Sequence, residues 1–133
     1  KFKYRLRYYK TEQVNSINNI EHPTIKAVLQ KYHKCNKGLE ITHYADVPGL
    51  SGLGGSSAFT VSLIKLLNEY YDNKIENFKI GKEAIYIEQK ILKEKVGSQD
   101  QIACAEGGLN LIRFKNSDIK LKKIIITKYK LSF

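Results

Sequence analysis

The order of apolar and polar positions predicts alternating strands and helices in the first half of the chain. Residues 2–9 alternate and are rich in aromatic side chains, which is typical of a strand, whereas residues 11–21 are polar and irregular. Pro23 begins a predicted helix and Gly38 ends it, because proline suits the first helical turn and glycine suits the position after the last. Residues 39–45 form a second predicted strand.

The second half of the pattern predicts three helices and a hairpin. Two helices are expected over residues 56–71 and 78–93, and a short third helix begins near Ser98. After a pair of glycines, residues 109–114 and 121–127 are strand-like and predict a hairpin. The mixture predicts an α+β fold, with an antiparallel sheet and helices on one side.

The composition fits one soluble globular domain. The chain has 133 residues, of which 42% are hydrophobic and 27% charged, and no apolar run approaches membrane-spanning length. No signal peptide is expected, because the opening residues KFKYRLRYYK are typical of a strand. Its two cysteines, Cys35 and Cys104, match no zinc spacing and are too few for a disulfide framework. They are expected to be buried free thiols, which predicts a cytoplasmic location. No membrane partner is expected, because no apolar run is long enough to span a bilayer.

The net charge of +10 has two interpretations. A basic patch would bind nucleic acid or attract an anionic substrate. Alternatively, lysine is common here and lies scattered over solvated faces. The second interpretation is favoured because the lysines are spread along the whole chain, whereas nucleic-acid footprints cluster. We therefore expect no nucleic-acid partner.

The segment DVPGLSGLGGSSAFT, residues 46–60, has the organisation of an anion site. A glycine-rich loop follows a strand and leads into a helix, so the free N–H groups of the helix lie beside a backbone that a phosphate can approach closely. The lysine of the P-loop is absent because Ser56 follows Gly55 directly, and the dinucleotide pattern is absent too. Either serine, Ser56 or Ser57, would cap the helix or reach a metal, and a plain glycine-rich turn remains the alternative.

Glu88 is a carboxylate on a predicted apolar helix face. Its neighbours three and four residues away are Ala84, Ile85, Ile91 and Leu92. The pattern therefore predicts that Glu88 is buried, and a buried carboxylate is costly unless it is paired or bound to a metal. An ion pair with lysine or arginine and a metal site both remain open.

Asp100 lies at the predicted start of the short helix. Ser98 and Gln101 match the capping box S-x-x-Q, which places Asp100 in the first turn. Acids stabilise helix N-termini by about 0.3–1 kcal/mol, which is one explanation of this residue. The other is an acid at the edge of a pocket that accepts a proton from a substrate hydroxyl.

The pattern P-x-x-x-G-L-G-G-S-S-A at residues 48–58 resembles the second motif of the galactokinase, homoserine kinase, mevalonate kinase and phosphomevalonate kinase (GHMP) superfamily. The resemblance implies an N-terminal domain whose architecture is shared with a ribosomal protein domain. It also implies that ATP is bound without a P-loop lysine and that Ser56 and Glu88 hold Mg²⁺. Asp100 would be the catalytic aspartate, which orients or deprotonates the substrate hydroxyl. The implied phosphate-binding residues are Pro48, Gly49, Ser51, Gly52, Leu53, Gly54, Gly55, Ser56 and Ser57.

Four stretches are similar to the heptose 7-phosphate kinase subfamily. They are KTEQV at residues 10–14, IEHP at 20–23, SGLGGSSAFTV at 51–61 and GSQDQIACAEGGLNLIRF at 97–114. This similarity implies phosphoryl transfer from Mg-ATP to the anomeric hydroxyl of D-glycero-D-manno-heptose 7-phosphate. Alternatives are a kinase for another sugar or a mevalonate-type alcohol, a basic RNA-binding module, or an inactive fragment of the same fold.

The resemblance also implies that residues 1–133 are the central part of the N-terminal, ATP-binding domain. The first superfamily motif, which helps to bind sugar, and the third glycine-rich motif of the C-terminal domain are not found. Gly55 stands where many relatives have serine, a change that keeps the backbone cradle. The fragment alone is therefore expected to be inactive, and apolar surface left by missing segments would favour a homodimer.

Overall fold

The structure, a computed structural model, describes residues 2–47, 51–116 and 118–125. Pro48 and Gly49 of the predicted phosphate-binding loop lie outside the described residues, as do residues 126 and 127 of the last predicted strand.

Three strands form the first sheet, in the order β2–β1–β3. The central strand β1 (Tyr4–Arg7) pairs antiparallel with β2 (Thr11–Val14) and parallel with β3 (Leu39–Thr42). The predicted antiparallel sheet is therefore wrong for β3, because helix α1 (Pro23–Tyr32) carries the chain back before β3 begins. The strand predicted over residues 2–9 is confirmed at its centre, and the strand predicted over residues 39–45 is confirmed for its first four residues.

Strand β2 lies in a segment whose sequence pattern predicted no strand. Its buried, core-facing position is Glu12, which lies opposite Leu6 of β1 in the sheet register. A carboxylate at the position that normally carries an apolar side chain removes the alternation by which a strand is recognised. Tertiary contacts of Glu12, described below, stabilise it there.

Four α-helices and a π-helical turn follow the predicted order. Helix α2 (Gly55–Tyr70) begins and ends within a residue of the prediction, and α4 (Gln99–Glu106) follows Ser98 as expected. The helix predicted over residues 78–93 is α-helical only in α3 (Asn77–Tyr86) and continues as a π turn (Ile87–Ile91). Helix α1 ends at Tyr32, earlier than the predicted stop at Gly38.

Strands β4 (Asn110–Lys115) and β5 (Asp118–Lys123) form a separate antiparallel pair. The predicted hairpin is confirmed within the described residues, and its second strand begins three residues earlier than expected. The fold class, α+β, is confirmed.

The core lies between one face of the first sheet and the helices. Tyr4 and Leu6 of β1 are buried, whereas Arg5 and Arg7 point to the opposite face and both pair with Glu40 of β3. Helix α2 packs against α1, α3 and α4. The buried apolar residues include Leu6, Ile20, Ile25, Val28, Leu29, Val61, Leu63, Ile64, Leu67, Ile80, Ala84 and Ile87.

Gly81 lets helices α3 and α4 approach closely. A methyl group at this position would lie 2.8 Å from Ile102 Cδ1 and 3.2 Å from the carbonyl oxygen of Gln101. Since Ile102 is fully buried, there is little room for it to move aside. The close packing fixes the first turn of α4, which carries Asp100 and Gln101, relative to α3.

Both cysteines are free thiols. Cys35 is half-buried, but Cys104 is exposed, so the expectation of burial is wrong for Cys104. Among the residues that the structure describes, every helix is too short or too polar to cross a membrane.

Candidate functional site

A cavity of about 660 Å³ lies where the glycine loop meets the start of α4 and the first sheet. One wall is polar and includes loop glycines, Ser56, Ser57, Asp100 and Gln101. The other wall is mostly aromatic, and its side chains are Tyr8, Tyr9, His22, His43 and Phe59. The predicted loop and Asp100 therefore share one cavity.

The loop enters α2 through a left-handed glycine. Gly54 is the residue that precedes the helix, with φ 72°, and it provides no side chain to cap the helix. Ser56 and Ser57 lie inside the first turn, so the prediction that either caps the helix is wrong. The first N–H groups of α2 have no partner within the helix, which is the arrangement that binds anions.

Asp100 lies beside Gly54, the residue that precedes α2. A methyl group added at Gly54 would lie 3.3 Å from both Cγ and Oδ2 of Asp100. The Asp100 side chain is exposed and lines the cavity. An acid thus lies beside the helix N-terminus that would bind a phosphate, and its catalytic role stays a prediction.

Glu88 is buried, with 1% of its surface exposed. Its Oε2 accepts hydrogen bonds from Ser57 Oγ at 3.1 Å and from Gln101 Nε2 at 2.5 Å, whereas its Oε1 is buried without a partner among the described residues. Within that same part of the chain no lysine or arginine forms a salt bridge with Glu88. The ion-pair interpretation therefore has no support in the described residues.

The π turn brings two consecutive side chains to the start of α4. Glu88 contacts Gln101, and Gln89 Nε2 donates to the carbonyl oxygens of Val96 and Gly97 and to Ser98 Oγ at 3.0–3.2 Å. Ser98 precedes α4 but makes no capping hydrogen bond. The predicted capping box is wrong, because Gln101 is engaged by Glu88 and the Ser98 hydroxyl by Gln89.

The electrostatic field around Glu88 is negative. Partial burial, and then the negative charges of Asp100 and Glu88, raise the pKa of the Cys104 thiol, although Cys104 as a whole is exposed. Burial, and then the negative charge of Glu88, raise the pKa of Glu94. A cation at Glu88 would relieve this concentration of negative charge.

The residues around Glu88 fit Mg²⁺. Mg²⁺ prefers carboxylate, hydroxyl, phosphate and water oxygens, and Glu88 Oε1 is a buried carboxylate oxygen without a partner among the described residues. Three or more metal-binding His, Cys, Asp or Glu side chains do not cluster anywhere in the described ranges. The remaining oxygens would therefore come from a serine hydroxyl, from water and from a phosphate-bearing ligand. The predicted pair Ser56 and Glu88 stays a prediction, and the contact found is between Glu88 and Ser57.

The aromatic wall was not predicted from the sequence. The ring centroids of Tyr8 and His22 lie 4.9 Å apart, those of His22 and Phe59 5.4 Å, and those of His43 and Phe59 4.4 Å. These side chains come from the end of β1, the residue before α1, the residue after β3, and α2. Only the tertiary structure brings them together, so no local pattern would have revealed the wall.

Glu12 supports the aromatic wall from inside the fold. It accepts hydrogen bonds from the Tyr8 hydroxyl at 2.6 Å and from the backbone N–H groups of Glu21 and His22 at 2.6 and 3.1 Å. Burial opposes the ionised form, but these hydrogen bonds outweigh it and lower the pKa of Glu12. His22 in turn accepts from the N–H of Ile25 at the start of α1, through Nδ1.

Comparison with known proteins identifies the family of this site. The sequence model of the GHMP kinases N terminal domain matches residues 18–108, which include the glycine loop, Glu88 and Asp100. The chain belongs to the GHMP kinase family. The predicted recognition and fold are thereby confirmed, and the individual residue roles are not tested by the match.

Two proteins that resemble this chain are heptose phosphate kinases by name. A D-glycero-alpha-D-manno-heptose 7-phosphate kinase of Campylobacter jejuni is 34% identical over 99 residues, which are 74% of this chain and 28% of that protein. The crystal structure of a D-glycero-D-manno-heptose 1-phosphate kinase from Bacteroides thetaiotaomicron matches with a TM-score of 0.85 and 28% identity, over 95% of this chain and 45% of that chain. The chain thus spans less than half the length of either relative, and the N-terminal GHMP domain is incomplete.

Proposed function

We propose that this chain is part of a Mg-ATP-dependent sugar-phosphate kinase that phosphorylates the anomeric hydroxyl of D-glycero-D-manno-heptose 7-phosphate. The observation that carries the proposal is the position of Asp100 beside Gly54 at the N-terminus of α2, with Glu88 buried and hydrogen-bonded to Ser57. A proton acceptor, an anion-binding helix end and a buried carboxylate without a counter-ion among the described residues are the parts that phosphoryl transfer needs.

Each part has a distinct task in the proposed reaction. The backbone of residues 51–57 and the N-terminus of α2 bind the ATP phosphates, and Ser56 and Glu88 hold Mg²⁺, which supplies positive charge to the transferring group. Asp100 accepts the proton of the sugar hydroxyl. The hydroxyl oxygen forms a bond to the γ-phosphorus, the bond from that phosphorus to the β–γ bridging oxygen breaks, and ADP leaves.

The choice of a heptose phosphate rests on the relatives, whose names agree on the sugar but differ in the position of its phosphate. The sequence similarity to the 7-phosphate kinase favours the 7-phosphate as acceptor. Other GHMP substrates, such as galactose, fucose or mevalonate, remain the alternative within the same chemistry.

The test is ADP release by the full-length parent protein with Mg-ATP and a panel of acceptors. We expect turnover on heptose 7-phosphate and little on heptose 1-phosphate, galactose, fucose or mevalonate. Turnover on another acceptor would keep the chemistry and replace the sugar. Absence of turnover on every acceptor, with ATP binding intact, would contradict the proposal.

Three further properties stay predictions. We expect no nucleic-acid partner, since Glu88 and Asp100 beside the loop would repel phosphates unless Mg²⁺ is present. RNA binding that weakens steeply with salt would contradict this expectation. A cytoplasmic location and a homodimer are expected, and localisation of the parent and sedimentation would test them.

A further inference from the structure

We infer that Ser57 and Gln101 are positioning residues for the Glu88 carboxylate, which they hold by Oε2 so that Oε1 is left as the oxygen for Mg²⁺. The inference rests on the proposed function, in which Glu88 holds the ion. It assigns a task to two side chains for which the proposed reaction otherwise has no use.

The geometry separates the two oxygens of Glu88. Both donors, Ser57 Oγ and Gln101 Nε2, reach the same oxygen, Oε2. Oε1 is buried and makes no hydrogen bond within the described residues. Because the donors come from α2 and α4, they fix the carboxylate from two sides and limit its rotation.

The two donors, a hydroxyl and an amide, are suited to hold a carboxylate that binds a metal ion. An ionised carboxylate only accepts hydrogen bonds, so Gln101 must present its amide nitrogen to Glu88. A hydroxyl and an amide carry no charge, so they orient Glu88 without neutralising it. A lysine or arginine at either position would instead compete with Mg²⁺ for the negative charge.

Neighbouring serines of α2 thereby have different tasks. Ser57 is buried, with 5% of its surface exposed, and its hydroxyl is engaged by Glu88. Ser56 is exposed at the cavity and is the serine proposed as a ligand of the ion. The hydroxyl of Ser57 acts on the ion only through Glu88.

Gln101 is also far more buried than glutamine side chains usually are. It is 1% exposed, lines the cavity, and its Oε1 has no partner among the described residues. Burying an amide whose carbonyl oxygen makes no hydrogen bond is costly, and methionine or leucine would fill the same space at a lower cost. The contact with Glu88 is the benefit that offsets this cost.

The experiment measures the Mg²⁺ requirement of nucleotide binding in the full-length parent. The melting temperature is followed against Mg²⁺ concentration with a non-hydrolysable ATP analogue, for the wild type, Ser57→Ala and Gln101→Met. Matched controls are Ser62→Ala and Gln99→Met, which change exposed residues of the same two helices. This readout is independent of turnover.

We expect each of the two site variants to need about tenfold more Mg²⁺ for half of the stabilisation, and the controls to match the wild type. Ser57→Thr retains a hydroxyl and should restore most of the wild-type Mg²⁺ requirement, which a role in packing alone would not predict. In the kinetic assay, the change should appear in the KM for Mg²⁺ more than in kcat at saturating Mg²⁺.

An unchanged Mg²⁺ requirement in folded Ser57→Ala would overturn the inference, and this small substitution carries the test if Gln101→Met does not fold. Measurements on the wild type distinguish failure of the inference from failure of the proposed function. If its nucleotide binding does not depend on Mg²⁺, the proposed ion site and the inference both fail. If binding depends on Mg²⁺ and on Ser57 but no sugar is phosphorylated, only the proposed reaction fails.

Discussion

Asp100 takes the substrate proton in the proposed reaction, and its replacement gives the most direct test at the scale of one residue. Asp100→Asn keeps the shape of the side chain and removes the proton acceptor. We expect nucleotide binding to be unchanged and turnover of the full-length parent to fall by about 10² or more. Asp118→Asn, in an exposed hairpin strand, is the control. Wild-type turnover in Asp100→Asn would remove this residue from the mechanism.

Alanine substitutions at three loop glycines distinguish the effect of backbone strain from the effect of a clash with Asp100. Gly52 and Gly54 both have positive φ, but only at Gly54 would a methyl group meet Asp100, and at Gly55 it would meet nothing within 4 Å. Alanine at Gly52 or Gly54 should cost about 1–2 kcal/mol in the free energy of unfolding, measured with urea, whereas alanine at Gly55 should not destabilise. Gly54→Ala alone should also displace Asp100, so its kcat should fall further than that of Gly52→Ala. Equal kcat values for these two variants would contradict the importance of the contact.

The lowered pKa of Glu12 predicts that the free energy of unfolding depends on pH. Its pKa is lowered in the folded protein, so the stability that it contributes is present above its ordinary pKa of 4.5 and is lost as the pH falls through the lower folded value. Glu12→Gln should therefore cost about 2 kcal/mol in the free energy of unfolding near neutral pH, because it leaves buried donors poorly matched. The cost should shrink in acid. The measurement is urea unfolding against pH, with exposed Glu69→Gln as a control that shows no such dependence.

At the scale of elements, the π turn controls the segment that leads to Asp100. Gln89 is the side chain that ties residues 96–98 to this turn. Gln89→Ala should therefore increase amide hydrogen exchange over residues 95–100 and lower kcat several-fold, while nucleotide binding changes little. Exposed Lys90→Ala is the neighbouring control. Unchanged exchange in Gln89→Ala would show that other contacts hold the segment.

Elements whose stability comes from their own apolar periodicity were predicted from the sequence, and elements that depend on tertiary contacts were missed. Helix α2 and strand β1 were predicted because their own apolar periodicity determines them. Strand β2 was missed because its core-facing residue is Glu12, which is tolerated only through Tyr8 and two distant backbone groups. The π turn was missed because its hydrogen bonding differs from that of an α-helix by one residue, which leaves no trace in local periodicity.

The features of the candidate site also divide into those that the sequence revealed and those that only the tertiary structure revealed. The glycine loop, buried Glu88 and Asp100 in the first turn of a helix were all visible in the sequence, since each breaks a local rule or matches a motif. The link from Ser57 and Gln101 to Glu88 was not, because local capping rules assigned both Ser57 and Gln101 to helix ends. The aromatic wall combines side chains of separate elements, and a single sequence carries no signal for such a contact.

At the scale of the whole molecule, the hairpin exposes apolar side chains through which the chain should associate. Leu109, Leu111, Phe114 and Ile124, in or beside β4 and β5, are each 41–52% exposed. Leu111 and Phe114 lie on opposite faces of β4, so the hairpin exposes apolar side chains on both faces. This exposure should cause the 133-residue chain to associate in solution. Phe114→Lys should reduce association in sedimentation velocity, and Tyr86→Lys, an equally exposed aromatic on α3, should not. Identical sedimentation of Phe114→Lys and the unsubstituted chain would place the contact elsewhere.

The π turn also bears on how this chain is aligned with its relatives. A π turn joins residues five apart by hydrogen bonds, as Leu92 N–H and the carbonyl oxygen of Ile87 show, whereas an α-helix joins residues four apart. The turn therefore takes up one additional residue between Gly81 and Asp100. A homologue that remains α-helical there needs one residue fewer to keep both the close helix contact and the acid in place. The gap in such an alignment belongs within residues 87–91, although the loop that follows is the customary place for it. An alignment with the gap in that loop would pair Leu92, which follows the turn and packs against the core, with a residue that points in another direction.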